Sequence, residues 1–456
     1  MRLVSEGPSP RLNAMCGIVG YVGQRSSSEV LMSGLARLEY RGYDSAGVAI
    51  VSDSGSLVSH KRAGKLGVLA EDLVTSPLES GSTGIAHTRW ATHGAPTDAN
   101  AHPHLADDGK LALIHNGIIE NFHELKEQLV ASGETFSSDT DSEVAAVLLG
   151  IAYRESRDLT QAMVNVVGRL EGAFTLLIVH EDAPGVVVGA RRNSPLVIGV
   201  GEGENFLGSD VAAFVAYTHK ALALGQDQIV TITKASIDVM SFEGEVVHPP
   251  EFTIDWDASA ADKGGWSSFM AKEISEEPEA VANTLRGRLS PEGEVTIPEL
   301  DSLDVSLIDR VIFIACGTAA YAAMLGAYAM EKWSGIPVTV ELSHEFRYRD
   351  PVVGAGTLVV SVSQSGETMD TLMAVRYANE LGAQTLAICN TQGATIPRES
   401  NATLYTHAGP EVAVASTKAF LSQTIAVYLL GLYLGGHRGV VSAELAAQTA
   451  QDLHNL

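Results

Sequence analysis

The chain is poor in cysteine, in basic residues and in long apolar runs, and each scarcity excludes a class of protein. Its 456 residues include three cysteines, too few and too scattered for a disulfide framework, so a reducing compartment fits. Its 30 basic residues against 55 acidic ones give a net charge of −25, which argues against nucleic-acid and anionic-membrane partners. The most apolar run, residues 424–436, is too short to span a bilayer and predicts a buried helix. We expect a cytoplasmic protein with no membrane and no nucleic-acid partner.

Cofactor and metal signatures are missing as well. Residues 199–203 (GVGEG) lack the third glycine of a dinucleotide-binding fingerprint, and residues 63–66 (AGKL) lack the hydroxyl residue of a phosphate-binding P-loop. Histidines are concentrated between His87 and His115, but no HExxH motif and no cysteine or carboxylate at ligand spacing accompanies them. A metal site among these histidines therefore stays a minor alternative. We expect neither a cofactor nor a metal.

Residues 1–15 read as a leader or as a mis-set start. They contain two prolines, no helical or strand period, and no apolar core of the kind that a signal peptide needs. If Met15 is the true start, Cys16 becomes the N-terminal residue, and its α-amino group, with a pKa of about 8, can take the thiol proton. The resulting thiolate is a nucleophile. The plainer alternative is that Cys16 is a buried structural cysteine.

Residues 16–247 predict an α+β domain. Short β-branched or apolar runs separated by glycine and asparagine read as strands, and apolar stripes predict helices over residues 28–38, 122–132 and 141–153. Because the strands follow one another in hairpins and the helices are grouped, we expect stacked antiparallel sheets between helical layers.

Residues 291–456 predict a different architecture. Here β-branched strands alternate with helices, as in a doubly wound α/β domain with a parallel sheet. The preceding residues 248–290, with prolines, scattered acids and a glycine pair at their start, read as a linker that holds a helix over 270–285. Because the alternation stops at Leu456, we interpret the sequence as truncated at its C-terminal end.

Several separated residues together suit recognition of an α-amino acid with a side-chain carbonyl. Cys16 supplies a thiolate, and Arg89 supplies a guanidinium that fits a carboxylate. Asn116 and Gly117 supply N–H groups for an oxyanion, and Asp141 supplies a carboxylate for an ammonium group. Taken singly, Arg89 also reads as a surface ion pair, Asn116–Gly117 as a type I′ turn, and Asp141 as a helix cap.

A second group of residues predicts a phosphate site. Residues 315–318 (ACGT) and 361–368 (SVSQSGET) each follow a predicted strand and precede a predicted helix, where backbone N–H groups bind anions. Hydroxyl and amide groups in such loops can hold a phosphate without Lys or Arg, which suits a chain of negative charge. Plain helix caps are the structural alternative for these serines.

The motifs of residues 15–143 resemble a known family. They are MCGIVGYVG (15–23), LEYRGYDSAG (38–47), GIAHTRWATHG (84–94), NAHPH (100–104), HNGIIEN (115–121) and SDTDSE (138–143). In order and spacing they are similar to the N-terminal-nucleophile glutamine amidotransferase domain of the glutamine–fructose-6-phosphate aminotransferase family. The resemblance implies that Cys16 is the nucleophile and that Asn116 and Gly117 form the oxyanion hole. The glutamine-binding residues that it implies are Arg89, Trp90, Thr92, His93 and Asp141.

The later region resembles the sugar isomerase (SIS) domain of the same family, through SQSGET (363–368) and VASTKAF (414–420). The sugar-phosphate residues that this implies are Cys316, Gly317, Thr318, Ser363, Gln364, Ser365, Thr368, Val414 and Ser416. Ala319 stands where the family often has serine, which puts one phosphate hydrogen bond in doubt. Family members carry a second SIS domain with the isomerase residues, and none of these is matched before Leu456, so we expect the fragment to lack full synthase activity.

The activity implied is transfer of the amide nitrogen of L-glutamine to D-fructose 6-phosphate, giving D-glucosamine 6-phosphate and L-glutamate. It would run through a Cys16 thioester and channelled ammonia, in a homodimer formed through the SIS domain. One rival is a non-catalytic sugar-phosphate sensor, which the blocked Cys16 and Ala319 favour. A second rival is an amidotransferase with a different acceptor. The presence of every expected glutaminase residue favours the enzyme.

Overall fold

The computed structural model describes residues 16–39, 43–91, 93–254, 263–413 and 415–456, and the chain divides into two units, Met1–Ala258 and Ser259–Leu456. The strands of the first unit are β1 (Gly17–Val22), β2 (Ser45–Val51), β3 (Leu57–Ala63), β4 (Thr83–Arg89), β5 (His104–Ala106), β6 (Leu111–Ile119), β7 (Gly172–His180), β8 (Val187–Arg192), β9 (Val197–Val200), β10 (Asn205–Gly208), β11 (Lys220–Ala223), β12 (Gln228–Ile232), β13 (Ile237–Ser241) and β14 (Glu251–Thr253). Its helices are α1 (Ser27–Arg37), α2 (Leu66–Thr75), α3 (Phe122–Ala131), α4 (Asp141–Ser156) and α5 (Leu159–Val167).

These strands form two sheets whose neighbouring strands are antiparallel. One has eight strands in the order β14-β11-β9-β10-β1-β4-β2-β3, and the other has six in the order β13-β12-β8-β7-β6-β5. Ile18 and Ile85 of the first sheet pack with Ile114 and Leu177 of the second in a fully buried cluster. Because successive strand residues point to opposite faces, the remaining apolar residues face outward and pack against helices. Helices α1 and α2 share one such core with the eight-stranded sheet, and α3, α4 and α5 share another with the six-stranded sheet.

The second unit is built on a parallel sheet. Its strands are β15 (Arg310–Ala315), β16 (Val338–Leu342), β17 (Thr357–Ser363), β18 (Gln384–Cys389) and β19 (Ala402–Tyr405). Its helices are α6 (Phe269–Ser275), α7 (Glu277–Leu285), α8 (Gly317–Ser334), α9 (Ser343–Tyr348), α10 (Met369–Glu380), α11 (Thr395–Glu399), α12 (Lys418–His437) and α13 (Ala443–His454). The strand order is β16-β15-β17-β18-β19, and all neighbouring strands are parallel. The chain adds β16 on one side of β15 and the later strands on the other side, so the order of the strands switches between β15 and β17. In doubly wound folds the crevice at such a switch, outside the carboxyl ends of the strands, is where ligands bind.

Apolar residues of the parallel sheet are buried on both faces. Phe313 belongs to the core that α8 and α12 complete, whereas Ile314 belongs to the core that α9 and α10 complete. The two predicted fold classes, stacked antiparallel sheets between helices and a doubly wound parallel sheet, are therefore confirmed.

The single helix predicted over residues 270–285 is wrong, because two helices occupy this region. Glu276 ends α6 and also begins α7, and Pro278 lies in the first turn of α7. Proline has no N–H and is accepted in the first turn of a helix but not in its interior. The chain therefore starts a new helix at this point.

The apolar run expected over residues 424–436 lies within the longer helix α12. At 20 residues, α12 extends beyond this run and is long and apolar enough to cross a membrane by length and composition alone. Its most apolar window is 72% buried inside the protein, where α12 packs against α8. The predicted buried helix is confirmed, and its apolar surface faces protein.

Candidate functional site

Cys16 lies directly before β1, at the end of the eight-stranded sheet where β4 finishes. Because Gly17 pairs with Thr88, the Cys16 side chain meets the chain just after Arg89. The Trp90 backbone N–H donates to Cys16 Sγ at 3.1 Å, and the thiol in turn lies 3.7 Å from the Trp90 carbonyl oxygen. Burial raises the pKa of the Cys16 thiol to about 11, although the Trp90 N–H and the Arg89 charge both oppose the rise.

Asn116 reaches the same point from the six-stranded sheet. Its Nδ2 donates to the Cys16 carbonyl oxygen at 3.0 Å, and its Oδ1 lies 2.8 Å from His87 Nε2. Burial lowers the pKa of His87 to about 3, so the imidazole is neutral and its Nε2–H donates to Asn116. The amide cannot rotate without losing both bonds. One Nδ2–H therefore points at Cys16, and the amide carries a second N–H for another acceptor.

Gly117 occupies a backbone position that only glycine fits without strain. Its φ is +118°, and a Cβ added there would overlap the Ala173 carbonyl oxygen and come within 3.0 Å of Phe174 Cα. Both Asn116 and Gly117 lie inside β6 and pair with residues of β7, so the type I′ turn considered for them is wrong. Gly117 is exposed, whereas Asn116 is buried.

Arg89 ends β4 and is only 3% exposed, so the surface ion pair considered for it is wrong. Its guanidinium donates to the carbonyl oxygens of His93, Gly94 (3.3 Å) and Ala95 (3.5 Å), which wraps the following loop around it. The His93 ring packs edge-on against Phe122 at 5.0 Å between centroids. Thr92, which the resemblance also places on this loop, lies outside the described residues.

Asp141 is the first residue of α4 and is 3% exposed. Its Oδ2 accepts the Ile119 N–H at 2.8 Å and lies 3.9 Å from His115 Nδ1. The cap of α4 is Thr140, whose side chain accepts the Glu143 N–H, so the cap considered for Asp141 is wrong. A carboxylate at the buried start of a helix, beside the end of β6, fits an ammonium ligand.

Four histidines lie buried beside these residues. The His102 ring packs between those of His87 and His104, tilted against the first at 4.2 Å and edge-on to the second at 4.7 Å between centroids. Burial lowers the pKa of all four rings, His115 included, and for His102 and His104 the pKa is well below its usual range. The neutral rings of His87, His104 and His115 supply hydrogen bonds, such as that of His104 Nε2 with Thr140 Oγ1 at 3.0 Å, without adding buried charge, whereas neither ring nitrogen of His102 has a hydrogen-bond partner among the described residues.

The predicted phosphate loop lies at the carboxyl end of β17, next to the end of β15. Ser363 Oγ accepts the Gly366 N–H at 3.1 Å and lies 3.1 Å from Thr368 Oγ1, and Ser365 Oγ accepts the Glu367 N–H at 3.2 Å. Gly366, with φ +65°, turns the chain where a Cβ would come within 2.7 Å of Cys389 Sγ. None of the serines is a helix cap, because α10 is capped by Thr368 and α8 by Cys316, neither through a side-chain hydrogen bond.

The remaining sugar-phosphate candidates divide into two groups. Cys316, Gly317 and Thr318 form the turn from β15 into α8, one strand from the serine loop, and Gln364 lies within that loop. Ser416 lies before α12, and its Oγ donates to Glu411 Oε2 at 2.8 Å rather than to the serine loop. Val414 lies outside the described residues.

Two acidic residues that organise these sites carry no recognisable signal of their own in the sequence. Asp44 accepts the Ala91 N–H at 2.6 Å and donates its own N–H to the Arg89 carbonyl at 2.7 Å, which positions the segment that carries Trp90. Glu411 accepts the N–H groups of Thr417 and Ala419. Asp44 falls inside the motif 38–47 that carries the family resemblance, which is the one signal that could have found it.

Comparison with known proteins covers both units. A family model described as a glutamine amidotransferase domain matches residues 72–244, and a SIS domain model matches residues 306–433. A solved structure, the C-terminal domain of glucosamine-fructose-6-phosphate aminotransferase from Francisella tularensis, is 38% identical and covers 42% of this chain and 55% of its own, with a TM-score of 0.40.

Curated relatives extend the comparison over nearly the whole chain. A protein from Leifsonia xyli named glutamine–fructose-6-phosphate aminotransferase (isomerising) is 66% identical over 432 residues, which are 94% of this chain and 70% of the relative. One of the same name from Streptomyces coelicolor is 58% identical over 444 residues, or 97% and 72%. At this identity and coverage, the chain belongs to the glutamine–fructose-6-phosphate aminotransferase (isomerising) family.

Proposed function

We propose that the protein transfers the amide nitrogen of L-glutamine to D-fructose 6-phosphate, forming D-glucosamine 6-phosphate and L-glutamate. The observation that carries the proposal is that Cys16 contacts both Asn116 and the residue that follows Arg89, and that Asp141 lies beside the end of the strand that carries Asn116, although these residues come from separate strands and a helix. The names of the curated relatives and the two matched domain families support the same substrates.

In the proposed glutaminase step, Cys16 Sγ attacks the side-chain amide carbon of glutamine. Asn116 Nδ2 and the Gly117 N–H stabilise the negative oxygen of the tetrahedral intermediate, and the Asn116 amide is held in place before the reaction begins. The carbon–nitrogen bond then breaks, ammonia leaves with the proton, and a γ-glutamyl thioester remains. Water attacks the thioester, releases glutamate and restores the thiol.

Glutamine itself is proposed to be bound through its α-carboxylate and its α-ammonium group. The Arg89 guanidinium binds the α-carboxylate, and the Asp141 carboxylate binds the α-ammonium group. Trp90, Thr92 and His93 cover the bound substrate. These residues carry no part of the bond changes, so their loss raises KM for glutamine more than it lowers kcat.

The base for this step is proposed to be the Cys16 α-amino group. In the 456-residue chain the Cys16 nitrogen is joined to Met15 by a peptide bond, and an amide nitrogen is not basic. Because burial raises the pKa of the thiol to about 11, it needs a base near pH 7. We therefore propose that the active form begins at Cys16, with residues 1–15 a leader or a mis-set start.

The second unit is proposed to bind the sugar phosphate. The phosphate lies against the hydroxyl groups of Thr318, Ser363, Ser365 and Thr368 and the N–H groups at the start of α8 and α10. Gln364, Cys316, Gly317, Val414 and Ser416 complete the sugar site. Ammonia adds to the sugar carbonyl, and loss of water with ketose-to-aldose isomerisation yields the amino sugar. Ala319 leaves this site with one hydroxyl group fewer than the family often has.

We further propose a cytoplasmic homodimer formed through the second unit. Helix α8 presents an exposed apolar stripe at helical spacing, consisting of Tyr321, Met324, Leu325 and Tyr328, which are 61%, 39%, 48% and 78% exposed. Large contiguous apolar surface of this kind usually marks an interface. The net charge of −25 supports neither nucleic acid nor an anionic membrane as a partner.

The test compares a chain that begins at Cys16 with the chain that begins at Met1. Glutamate release from glutamine is measured for both, with Cys16→Ala in the shorter form as the inactive control. We expect the shorter form to hydrolyse glutamine at least about 100-fold faster, since general base catalysis contributes 10² to 10⁴. Equal rates would exclude the α-amino base. If both forms are silent and still bind fructose 6-phosphate, the protein is a sugar-phosphate sensor.

A further inference from the structure

Three metal-ligand residue types converge in the second unit, and one of them, Cys316, also belongs to the proposed sugar site. One ligand atom each from Cys316, His344 and Asp370 lies within 4.8 Å of the other two. Cys316 precedes α8, His344 is the second residue of α9, and Asp370 is the second residue of α10. The three helices follow β15, β16 and β17, which are neighbours in the sheet, so the ligands come from three adjacent strand ends.

A buried hydrogen-bonded group fixes the backbone beneath these ligands. Ser343 Oγ and Thr371 Oγ1 are 2.9 Å apart, and Thr371 Oγ1 also lies 3.9 Å from Cys316 Sγ. Ser343 and Thr371 are fully buried, and each is the chain neighbour of one of the other two ligands. The starts of α9 and α10 are therefore tied together and to the thiol. Partners of this kind orient metal ligands and are part of a built site.

We propose that Cys316, His344 and Asp370 form a binding site for a divalent transition-metal ion of the Zn²⁺ type. A thiolate, an imidazole and a carboxylate are the donors that Zn²⁺ accepts, whereas Mg²⁺ and Ca²⁺ prefer oxygen alone. One thiolate and one carboxylate balance the charge of the ion. Three protein ligands leave the fourth tetrahedral position open to water or to another small ligand.

The side chains can close to bonding distance at low cost. Zn²⁺ binds its ligands at about 2.0–2.3 Å, so the ligand atoms must approach one another by roughly 1 Å. The His344 and Asp370 side chains are exposed, and rotation about their bonds supplies this movement. Glu345 Oε1 lies 3.8 Å from His344 Nε2 and adds negative charge beside the ion. The proposal does not depend on sugar-phosphate binding or on glutaminase activity.

The experiment titrates the full 456-residue chain with Co²⁺ alone, and then with Zn²⁺ as competitor. We expect one Co²⁺ per chain with a thiolate-to-cobalt charge-transfer band, which Zn²⁺ abolishes because it binds nitrogen and sulfur ligands more tightly. C316S removes the band. H344S and D370N weaken Co²⁺ binding at least about tenfold, in line with the loss of a group that supports a metal site.

Two matched variants serve as controls, and circular dichroism verifies that every variant is folded. C389S removes the buried thiol of the same unit, and H437Q removes an exposed histidine on α12; both keep wild-type Co²⁺ affinity. The proposal is overturned if the wild-type chain binds no Co²⁺ with a thiolate band, if the band survives C316S, or if folded H344S binds Co²⁺ as tightly as wild type.

Discussion

The proposed oxyanion-hole role of Asn116 depends on the two hydrogen bonds that hold its side-chain amide, and not on its residue type alone. Its Oδ1 accepts from His87 across the two sheets, and its Nδ2 donates to the Cys16 carbonyl oxygen, so the amide is held beside Cys16 before any substrate arrives. Burial lowers the pKa of His87 to about 3, so its ring is neutral at the pH values at which the protein would work. The hydrogen bond from His87 to Asn116 therefore persists over that range. Preorganised donors of this kind stabilise an oxyanion without reorganisation.

Replacing Asn116 tests this arrangement. N116A in the form that begins at Cys16 should lower kcat for glutamine hydrolysis by roughly 10² to 10³, with little change in KM, because the donor acts on the transition state. Steady-state glutaminase kinetics give both constants. N121A, which removes a half-buried amide that bonds to residues 169 and 171 and not to Cys16, is the matched control and should keep wild-type kcat. A raised KM with unchanged kcat would place Asn116 in substrate binding instead.

The buried histidines make stability depend on pH. In the unfolded chain a histidine has a pKa of about 6.5, whereas burial lowers the pKa of His87, His102, His104 and His115 in the folded protein. As pH falls below about 6.5, the unfolded chain binds protons that the folded chain cannot accept. The free energy of unfolding should therefore fall by up to about 1.4 kcal/mol per pH unit for each such histidine.

The variant H102F measures one of these contributions. Phenylalanine keeps an aromatic ring between those of His87 and His104 but cannot bind a proton. The thermal midpoint of H102F should therefore decline less between about pH 7 and pH 5 than that of wild type. H437F, at an exposed position, should keep the wild-type slope. An unchanged slope in H102F would mean that His102 takes up a proton in the folded protein.

At the scale of an element, β6 contains a glycine, Gly117, whose backbone conformation the candidate site requires. Gly117 has φ +118° and lies against the Ala173 carbonyl of β7, directly after the buried Asn116. Gly133, after α3, also has a positive φ, of +99°, but open space surrounds it. At Gly133 a substitution would meet only the backbone strain of a positive φ, whereas at Gly117 it would also overlap neighbouring atoms. Comparing the two positions therefore distinguishes the two effects.

The pair of substitutions G117A and G133A makes that separation measurable. G133A should cost about 1–2 kcal/mol of stability, the ordinary cost of a left-handed residue with a Cβ. G117A adds an overlap with the neighbouring strand and should cost at least about 1 kcal/mol more, with loss of glutaminase activity. Urea unfolding and glutamate release provide the two readings. Equal losses of stability would show that β7 moves away freely.

At the scale of the whole molecule, the exposed stripe on α8 is the feature that a single copy leaves unexplained. Its four large apolar residues lie at spacings of three and four, on the face opposite the one that packs against α12. If two copies associate through this stripe, a charge placed within it must be buried without a partner, which costs several kcal/mol.

Y328E should therefore shift the protein from dimer to monomer, measured by sedimentation equilibrium at a fixed concentration. V74E changes a residue of α2 that is exposed to the same degree, 79% against 78%, and should leave the oligomeric state unchanged. A Y328E protein that remains dimeric would locate the interface elsewhere on the molecule.

The sequence predicts well those elements whose apolar pattern is strong, and it fails for elements whose residues are only half-buried. β1, β4, β6 and β7 have a strong apolar pattern because nearly all of their residues are buried, on both faces of the sheet. β3 has no such pattern, because it is an edge strand whose residues are all half-buried and include His, Lys and Arg. Such a strand is defined by its hydrogen bonds to β2, which no local pattern reveals.

The candidate sites divide in the same way. Residue types and motifs were enough to select Cys16, Arg89, Asn116 and Asp141, but three plain alternatives for these residues stayed open until their burial and pairing were known. The cluster of Cys316, His344 and Asp370 has no ligand spacing in the sequence at all. It exists only because the parallel sheet brings three strand ends side by side.

By itself the sequence determined the two fold classes, the family and the chemical groups of the sites, since periodicity and motif order are local properties of a chain. The tertiary structure alone decided which of these groups meet. Asn116 contacts a residue 100 positions away and another 29 positions away. Such contacts follow from how two sheets stack and from the order of strands within them. These are set by the burial of whole faces rather than by any segment of sequence.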